Sequence, residues 1–255
     1  MTIETFSLEG KVAIVTGGSR GIGRAIALGL ARAGADVALA ARKLDSLEEA
    51  RAEIEATGRR ALPVPTNVRE PDALRALVAE TVRGLGRLDV LVNNAGTNPV
   101  YGPIAELEER TWDVVMNTNV RAAWQLSVLA REAMLAHGEG GAIVNVASNA
   151  GVRPIPMLGA YSVSKAALIM LTKVCAKEWG ADRIRVNCVV PGVIRTEFSR
   201  ALWDDERNLA RTVAASALGR VGDAEEVAGA AVYLAGPAAS FVTGETIVLD
   251  GGETL

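Results

Sequence analysis

KVAIVTGGSRGIGRAIALGLARAG, residues 11–34, is a strand, a glycine-bearing turn and a helix in direct succession. The strand, VAIVT, is apolar at nearly every position, as expected when both of its faces are covered. The turn carries Gly17, Gly21 and Gly23, and glycine permits backbone angles and close approaches that a Cβ forbids. The helix opening there presents N–H groups without intrahelical partners at its positive end, so the turn favours an anion such as a pyrophosphate. Any tight strand–helix turn uses glycine; the position directly after a first strand is what gives the pattern weight.

Outward from this unit, the same alternation runs the length of the chain. Residues 35–40, 60–65, 87–92, 141–148, 183–190 and 245–250 read as six more strands. Amphipathic segments near 22–33, 44–57, 71–84, 108–137, 160–179 and 223–235 read as helices. Such alternation implies right-handed crossovers and a mostly parallel sheet with helices on both faces. No linker or shift of composition divides the chain. The expectation is an α/β fold, a single doubly wound Rossmann-type domain over residues 1–255 with a seven-stranded sheet. Functional residues should then gather beyond the C-terminal ends of the strands. The tails of the first, fourth, fifth and sixth strands, TGGSRGIG, NNAG, ASNAG and PGVIRT, are all glycine-bearing turns on that edge.

Composition removes several classes of function. A formal net charge of −3 with no Lys/Arg run argues against nucleic acid or an anionic membrane surface. The most apolar stretch, residues 25–41, is broken by Arg32 and Asp36 and is too short to span a bilayer. The opening MTIETFSLEGK is acidic and lacks the apolar core of a secretory leader. Cys175 and Cys188 fit no zinc spacing, so no metal site is expected, and they read as core thiols of a reduced, cytoplasmic protein. The single histidine, His137, closes a helical stretch and reads as a cation near a helix C-terminus. A Ser-His-Asp triad is excluded, and the chemistry must use other groups.

Cofactor choice is written after the second strand. A binder of NAD carries an acid there for the ribose hydroxyls, whereas this chain has Ala41 and Arg42, with Arg20 in the glycine turn. Two guanidinium groups suit an adenosine 2′-phosphate, which they bind with charge-assisted hydrogen bonds. The expectation is NADP(H), with NAD(H) second; two solvated surface arginines would give the same sequence.

YSVSK places Tyr161 and Lys165 four residues apart, on one face of a helix. A free phenol has a pKa of about 10, so roughly one in a thousand is ionised at neutral pH. A nearby ammonium favours the phenolate, and lowering the pKa by about three units corresponds to roughly 4 kcal/mol. Tyr161 could then give a proton to a carbonyl oxygen or take one from an alcohol, with Ser148 holding that oxygen. Asn119 lies on the apolar face of its helix, where a polar side chain costs about 1–3 kcal/mol unless paired. It either bonds a backbone carbonyl of a neighbouring helix or holds a water in a proton path.

With these residues in place, the sequence resembles the short-chain dehydrogenase/reductase family. TGGSRGIG, NNAG, Asn119, Ser148, YSVSK and PGVIRT stand in the family's order and spacing, and the likeness runs through the closing VTGETIVLDGG. The resemblance implies that Asn119, Ser148, Tyr161 and Lys165 form a catalytic tetrad. It implies a dinucleotide held by Gly17, Ser19, Arg20, Gly21, Ile22, Gly23 and Arg42, with Asn93 to Gly96 (Asn94 and Ala95 between them) supporting the adenine side and the sheet. Tyr161 and Lys165 contribute again at the nicotinamide ribose, and Pro191, Gly192, Ile194 and Thr196 lie along the carboxamide and pyrophosphate. One departure is Asn67, followed by Val68, where the family usually has an Asp for the adenine amino group; an amide oxygen can still accept that bond. The segments 98–120 and 194–206 are similar to NADP-dependent carbonyl reductases and 3-oxoacyl-carrier-protein reductases.

The implied activity is interconversion of a carbonyl, of ketone or 3-oxoacyl type, with a secondary alcohol. Residues 98–101, 152–158 and the segment after Thr196 with Phe198, Leu202 and Trp203 are the expected substrate wall, although a lid helix packing on its own domain would use the same apolar residues. Arg153 reads as a solvated loop arginine or as a partner for a substrate anion. A homotetramer is implied by the family, with Ala166, Ala167 and Ala176 permitting close helix pairing. The alternatives are an NAD-dependent alcohol or sugar dehydrogenase and a non-catalytic, cofactor-sensing regulatory protein.

Overall fold

The computed structural model describes residues 3–255; Met1 and Thr2, the first residues of the acidic opening stretch, lie outside the described residues. Seven strands form one sheet: β1 (Val12–Thr16), β2 (Asp36–Ala41), β3 (Ala61–Pro65), β4 (Val90–Asn93), β5 (Gly141–Val146), β6 (Ile184–Pro191) and β7 (Thr246–Leu249). Every pairing is parallel, in the order β3-β2-β1-β4-β5-β6-β7. The order reverses between β1 and β4, the point beyond whose C-terminal ends open sheets of this kind place their ligand crevice.

The doubly apolar strands have a direct cause in the packing. Ala13 and Val15 of β1 face one core, which contains Ile26, Ala27 and Leu30 of α1 (Gly21–Arg32), Leu47 and Ile54 of α2 (Leu44–Glu55) and Val227 and Ala231 of α8 (Ala224–Ala235). Val12 and Ile14 face the other, against Leu74 and Leu77 of α3 (Pro71–Leu85), Leu126 and Met134 of α5 (Ala122–His137) and Cys175 and Trp179 of α6 (Gly159–Trp179). Successive side chains alternate between two covered faces, so both positions favour apolar residues and a polar one needs a hydrogen-bond partner.

Three expectations change. The fourth strand starts at Val90 and not at residue 87, because Asp89 is drawn into polar bonding at the strand's entry. Its carboxylate accepts from Val12 N at 3.0 Å and from Arg87 Nε at 2.8 Å. The long helix expected over 108–137 is interrupted: α4 (Glu109–Met116) passes through a π turn at Asn117–Arg121 before α5. A helix not anticipated from the sequence, α7 (Glu206–Ala215), caps the loop after β6, with Asp205 accepting from Asn208 N at 2.9 Å. Cys175 and Cys188 are buried and free. His137 ends α5, its Nε2 2.9 Å from Leu88 O.

Candidate active site

The glycine turn closes tightly at the end of β1. Gly17 has φ +65°, and a Cβ on Gly23 would lie 2.2 Å from Gly17 O, so neither position accepts a side chain. Arg20 is the N-cap of α1 and offers no side-chain cap, leaving the helix's first N–H groups open toward the crevice. Arg20 and Arg42 are exposed and, among the described residues, form no ion pair, as does Lys43, a third cation after β2 that the sequence reading passed over. The residues present therefore fit an anionic dinucleotide: an uncapped helix N-terminus, a cradle that side chains would fill, and uncommitted cations beyond β2.

Thr16, also missed from sequence, ties this turn to the β4 tail. Its Oγ1 accepts from Asn94 N and Ala95 N, each at 3.0 Å, and donates to Val92 O at 3.2 Å. Asn94 Nδ2 returns the tie by donating to Thr16 O at 2.8 Å. Across the crevice, Thr196 stands close enough that its Cγ2 would lie 3.2 Å from a Cβ on Gly21. Pro191 ends β6, Gly192 N donates to Leu249 O at 3.0 Å, and Ile194 is buried in the core beside α1 and α8. Ser19 is buried, while Ile22 and Val68 are half-buried against the two cores. Asn67 is already engaged: Nδ2 donates to Glu70 Oε1 at 2.6 Å and Oδ1 accepts from Arg69 N at 3.3 Å. One lone pair of that oxygen remains for a further donor.

Under the crevice runs a chain of buried amides and hydroxyls. Asn93 Nδ2 donates to Asn145 Oδ1 at 2.9 Å across the β4–β5 register and to Ser127 Oγ at 3.0 Å. Asn145 Nδ2 passes on to Thr172 Oγ1 of α6 at 2.8 Å. Paired in this way, the polar groups fix α5 and α6 against the sheet instead of penalising their own burial.

Tyr161, Ser148 and Lys165 come together at the end of β5. Lys165 is buried, donates from Nζ to Val146 O at 2.8 Å, and lies 5.6 Å from the centroid of the Tyr161 ring. Burial brings its ammonium down to about 8. Without a dinucleotide in the crevice, burial pushes Tyr161 up to about 12, opposed only by Ser148. Tyr161 is thus a protonated donor at neutral pH.

Asn119 sits in the π turn, buried, and the backbone it bonds is that of the loop after β4 and not of a neighbouring helix. Oδ1 accepts from Thr97 N at 2.8 Å, while Nδ2 donates to Thr97 O at 3.0 Å and to Ser164 Oγ at 2.9 Å. Ser164 Oγ donates to Tyr161 O at 2.7 Å. The side chain thus fastens the β4 tail to the Tyr161 helix. Gly96 lies between, where a Cβ would come within 3.4 Å of Lys165 Nζ and 3.5 Å of Asn119 Oδ1.

The wall segments divide between the two roles open to them. Gly102 N donates to Met157 O at 2.9 Å, zipping the loop after β4 to the one before α6, and Val100, Ile104, Leu107, Met157 and Leu158 line one apolar crevice. Phe198 faces Tyr161, ring centroids 6.1 Å apart. Trp203 instead turns onto its own segment, donating from Nε1 to Ser199 Oγ at 3.1 Å beneath the Arg195 guanidinium. Arg153 is not a free loop arginine: Nη2 pairs with Glu253 Oε1 at 2.5 Å. Ala176, expected at a helix-pairing surface, is buried in the core of α3, α5 and α6, whereas Ala166 is exposed and Ala167 half-buried.

Residues 17–254 match the family model described as enoyl-(acyl carrier protein) reductase. A curated relative from Oryctolagus cuniculus, dehydrogenase/reductase SDR family member 4, is 40% identical over 245 residues, covering 96% of this chain and 94% of the relative. Gluconate 5-dehydrogenase of Gluconobacter oxydans is 38% identical, covering 99% of this chain and 98% of the relative. Among solved structures, a gluconate 5-dehydrogenase from Burkholderia cenocepacia, crystallised with NADP and tartrate, superposes with a TM-score of 0.94 at 33% identity, covering 99% and 98% of the two chains.

Proposed function

The chain belongs to the short-chain dehydrogenase/reductase family and is an oxidoreductase acting on alcohols and carbonyls; from that premise we propose that it interconverts an apolar ketone or 3-oxoacyl carbonyl and its secondary alcohol with NADP(H), Tyr161 being the general acid/base. The observation that carries this reading is the meeting of the protonated Tyr161 hydroxyl with Ser148 at the crevice edge, above the buried Lys165. Arg20 and Arg42, with no acid after β2, support NADP(H) over NAD(H); the Burkholderia relative was crystallised with NADP.

When bound, the dinucleotide supplies the hydride and, in its oxidised form, a positive charge that favours the phenolate. Ser148 donates a hydrogen bond to the substrate oxygen and fixes its position. Tyr161 gives that oxygen its proton as negative charge builds on it, and takes the proton back in oxidation. Lys165, held by Val146 O, anchors the ribose side and contributes positive charge beneath the ring. Asn119 keeps the β4 tail and Tyr161 in register through Thr97 and Ser164. The glycine turn, with Ser19 and Ile22, and Asn67, Val68, Asn94, Ala95, Gly96, Pro191, Gly192, Ile194 and Thr196 complete the dinucleotide cleft.

A sugar acid, suggested by the gluconate dehydrogenase relatives, is the competing substrate class. It asks for a cation at the mouth, and Arg153 there is already neutralised by Glu253; the apolar lining by Val100, Ile104, Met157 and Phe198 supports an uncharged carbonyl instead. A sensing role without turnover would not require the Tyr161–Lys165 pair. A homotetramer in the cytoplasm fits the buried free thiols and the exposed apolar stripe Val163, Met170 and Val174 on α6. The test is loss of NADPH absorbance with a panel of ketones, 3-oxoacyl thioesters, quinones and 5-ketogluconate. Turnover of ketones or thioesters is expected; reduction of the sugar acid alone would reverse the substrate assignment.

A further inference from the structure

Asn149 follows Ser148 directly and is buried in the short turn Asn149–Gly151 beyond β5. Its amide bridges two groups distant in sequence. Nδ2 donates to Glu253 Oε2 at 2.9 Å, and Oδ1 accepts from Ser148 Oγ at 3.3 Å. The Glu253 side chain is 13% exposed, and its other oxygen pairs with Arg153. The tail that carries it is folded over Asp250, whose carboxylate accepts from Gly252 N and Thr254 N, each at 2.9 Å, and from Thr254 Oγ1 at 2.7 Å.

An ionised carboxylate only accepts, so Glu253 dictates that the Asn149 amide turns its NH2 toward the tail and its oxygen toward Ser148. Ser148 has a single proton. Its Oγ already accepts from Ala150 N at 3.2 Å, and with Asn149 Oδ1 in front of it the proton is directed there. We propose that Glu253 is a positioning residue for the reaction: by fixing which end of the Asn149 amide meets Ser148, it aims the serine proton away from the Tyr161 oxygen until a substrate oxygen draws that proton over. This rests on the roles given above to Ser148 and Tyr161. The charged and titratable groups around the pair are Lys165, over the Tyr161 ring, with Cys188 of β6 beside it, and Arg153 against Glu253. Of these groups, Glu253 is the one bonded to the Asn149 amide.

The experiment is an ultraviolet titration of tyrosinate in the NADP+ complex, read beside the pH dependence of alcohol oxidation. The chain has only three tyrosines, so subtracting a Tyr161→Phe variant isolates the one that matters. Glu253→Met lets the amide turn its NH2 to Ser148, whose proton then goes to the Tyr161 oxygen; the Tyr161 pKa falls by about half a unit to one unit. Asn149→Leu, which removes the competing acceptor, shifts it the same way. Glu253→Gln, which still accepts from Asn149, and Arg153→Met, which breaks only the ion pair, leave it in place. An unmoved Tyr161 pKa in both Glu253→Met and Asn149→Leu overturns the proposal whatever their thermal stability, and if the first does not fold the second decides. Tyrosinate absorbance needs no turnover, so an enzyme inactive on every carbonyl would refute the reductase reading separately from this one.

Discussion

Lys165 lies over the face of the Tyr161 ring, its Nζ 5.6 Å from the centroid and 2.8 Å from the carbonyl oxygen of Val146. The amine is thus held by the sheet and not by the phenol it serves. Burial acts on the two groups in opposite senses, lowering the ammonium to about 8 and raising the phenol to about 12, so each is pressed toward its neutral form.

Tyr161→Phe removes the proton donor and little else. Turnover should drop by about 10²–10⁴-fold, the usual worth of general acid–base catalysis. The dissociation constant for NADPH, followed by nucleotide fluorescence, should stay within a few-fold of wild type. Retained turnover would eliminate Tyr161 as the acid/base.

Lys165 gives the pH dependence of stability a definite sign. Its folded pKa, about 8, lies below the ordinary lysine value of 10.5, so between those pH values the unfolded chain binds more protons. Stability from this group therefore rises with pH across that window and is lowest below pH 8. At about 1.4 kcal/mol per unit, wild type should gain roughly 3 kcal/mol on Lys165→Met between pH 7.5 and 10.5. Denaturant unfolding of both proteins across that range measures it, and parallel curves would show that the amine is not desolvated.

Arg20 and Arg42 bear on cofactor choice without touching chemistry. Hydrogen bonds to a charged group contribute about 1.5–3 kcal/mol, so Arg42→Ala should raise KM for NADPH by roughly 10–100-fold. KM for NADH should hardly move. Equal losses for both cofactors would place the 2′-phosphate elsewhere.

Asn93 is a structural residue whose removal leaves partners stranded. Asn93→Ala opens a small cavity and deprives Asn145 Oδ1 and Ser127 Oγ of a donor. A loss of about 2–4 kcal/mol in unfolding free energy is expected. A loss below about 0.5 kcal/mol would mean that the ladder repacks freely.

The strands were legible from residue 11 onward because each is short and mostly apolar, and several are followed by a glycine turn, signals contained in a few neighbouring residues. The same holds for Tyr161 and Lys165, whose spacing places them on one helical face. What Asn119 does was not legible: its partners, Thr97 and Ser164, lie 22 and 45 residues away, and the π turn that presents it leaves no mark on apolar periodicity. Arg87 and Asp89 read as strand because alternation cannot register a carboxylate bonded to Val12 N, 77 positions back.

Local pattern alone determined the architecture and the sheet edge at which the candidate groups gather, since strand period, helix period and turn chemistry act over a few bonds. Only the folded chain decided how those groups are set: that the phenol is held protonated by burial, that Arg153 is spent on Glu253, and that the tail reaches Asn149 next to Ser148. Those outcomes depend on desolvation and on hydrogen bonds between residues up to 104 positions apart, and both come into existence only when the sheet and its two helical layers close.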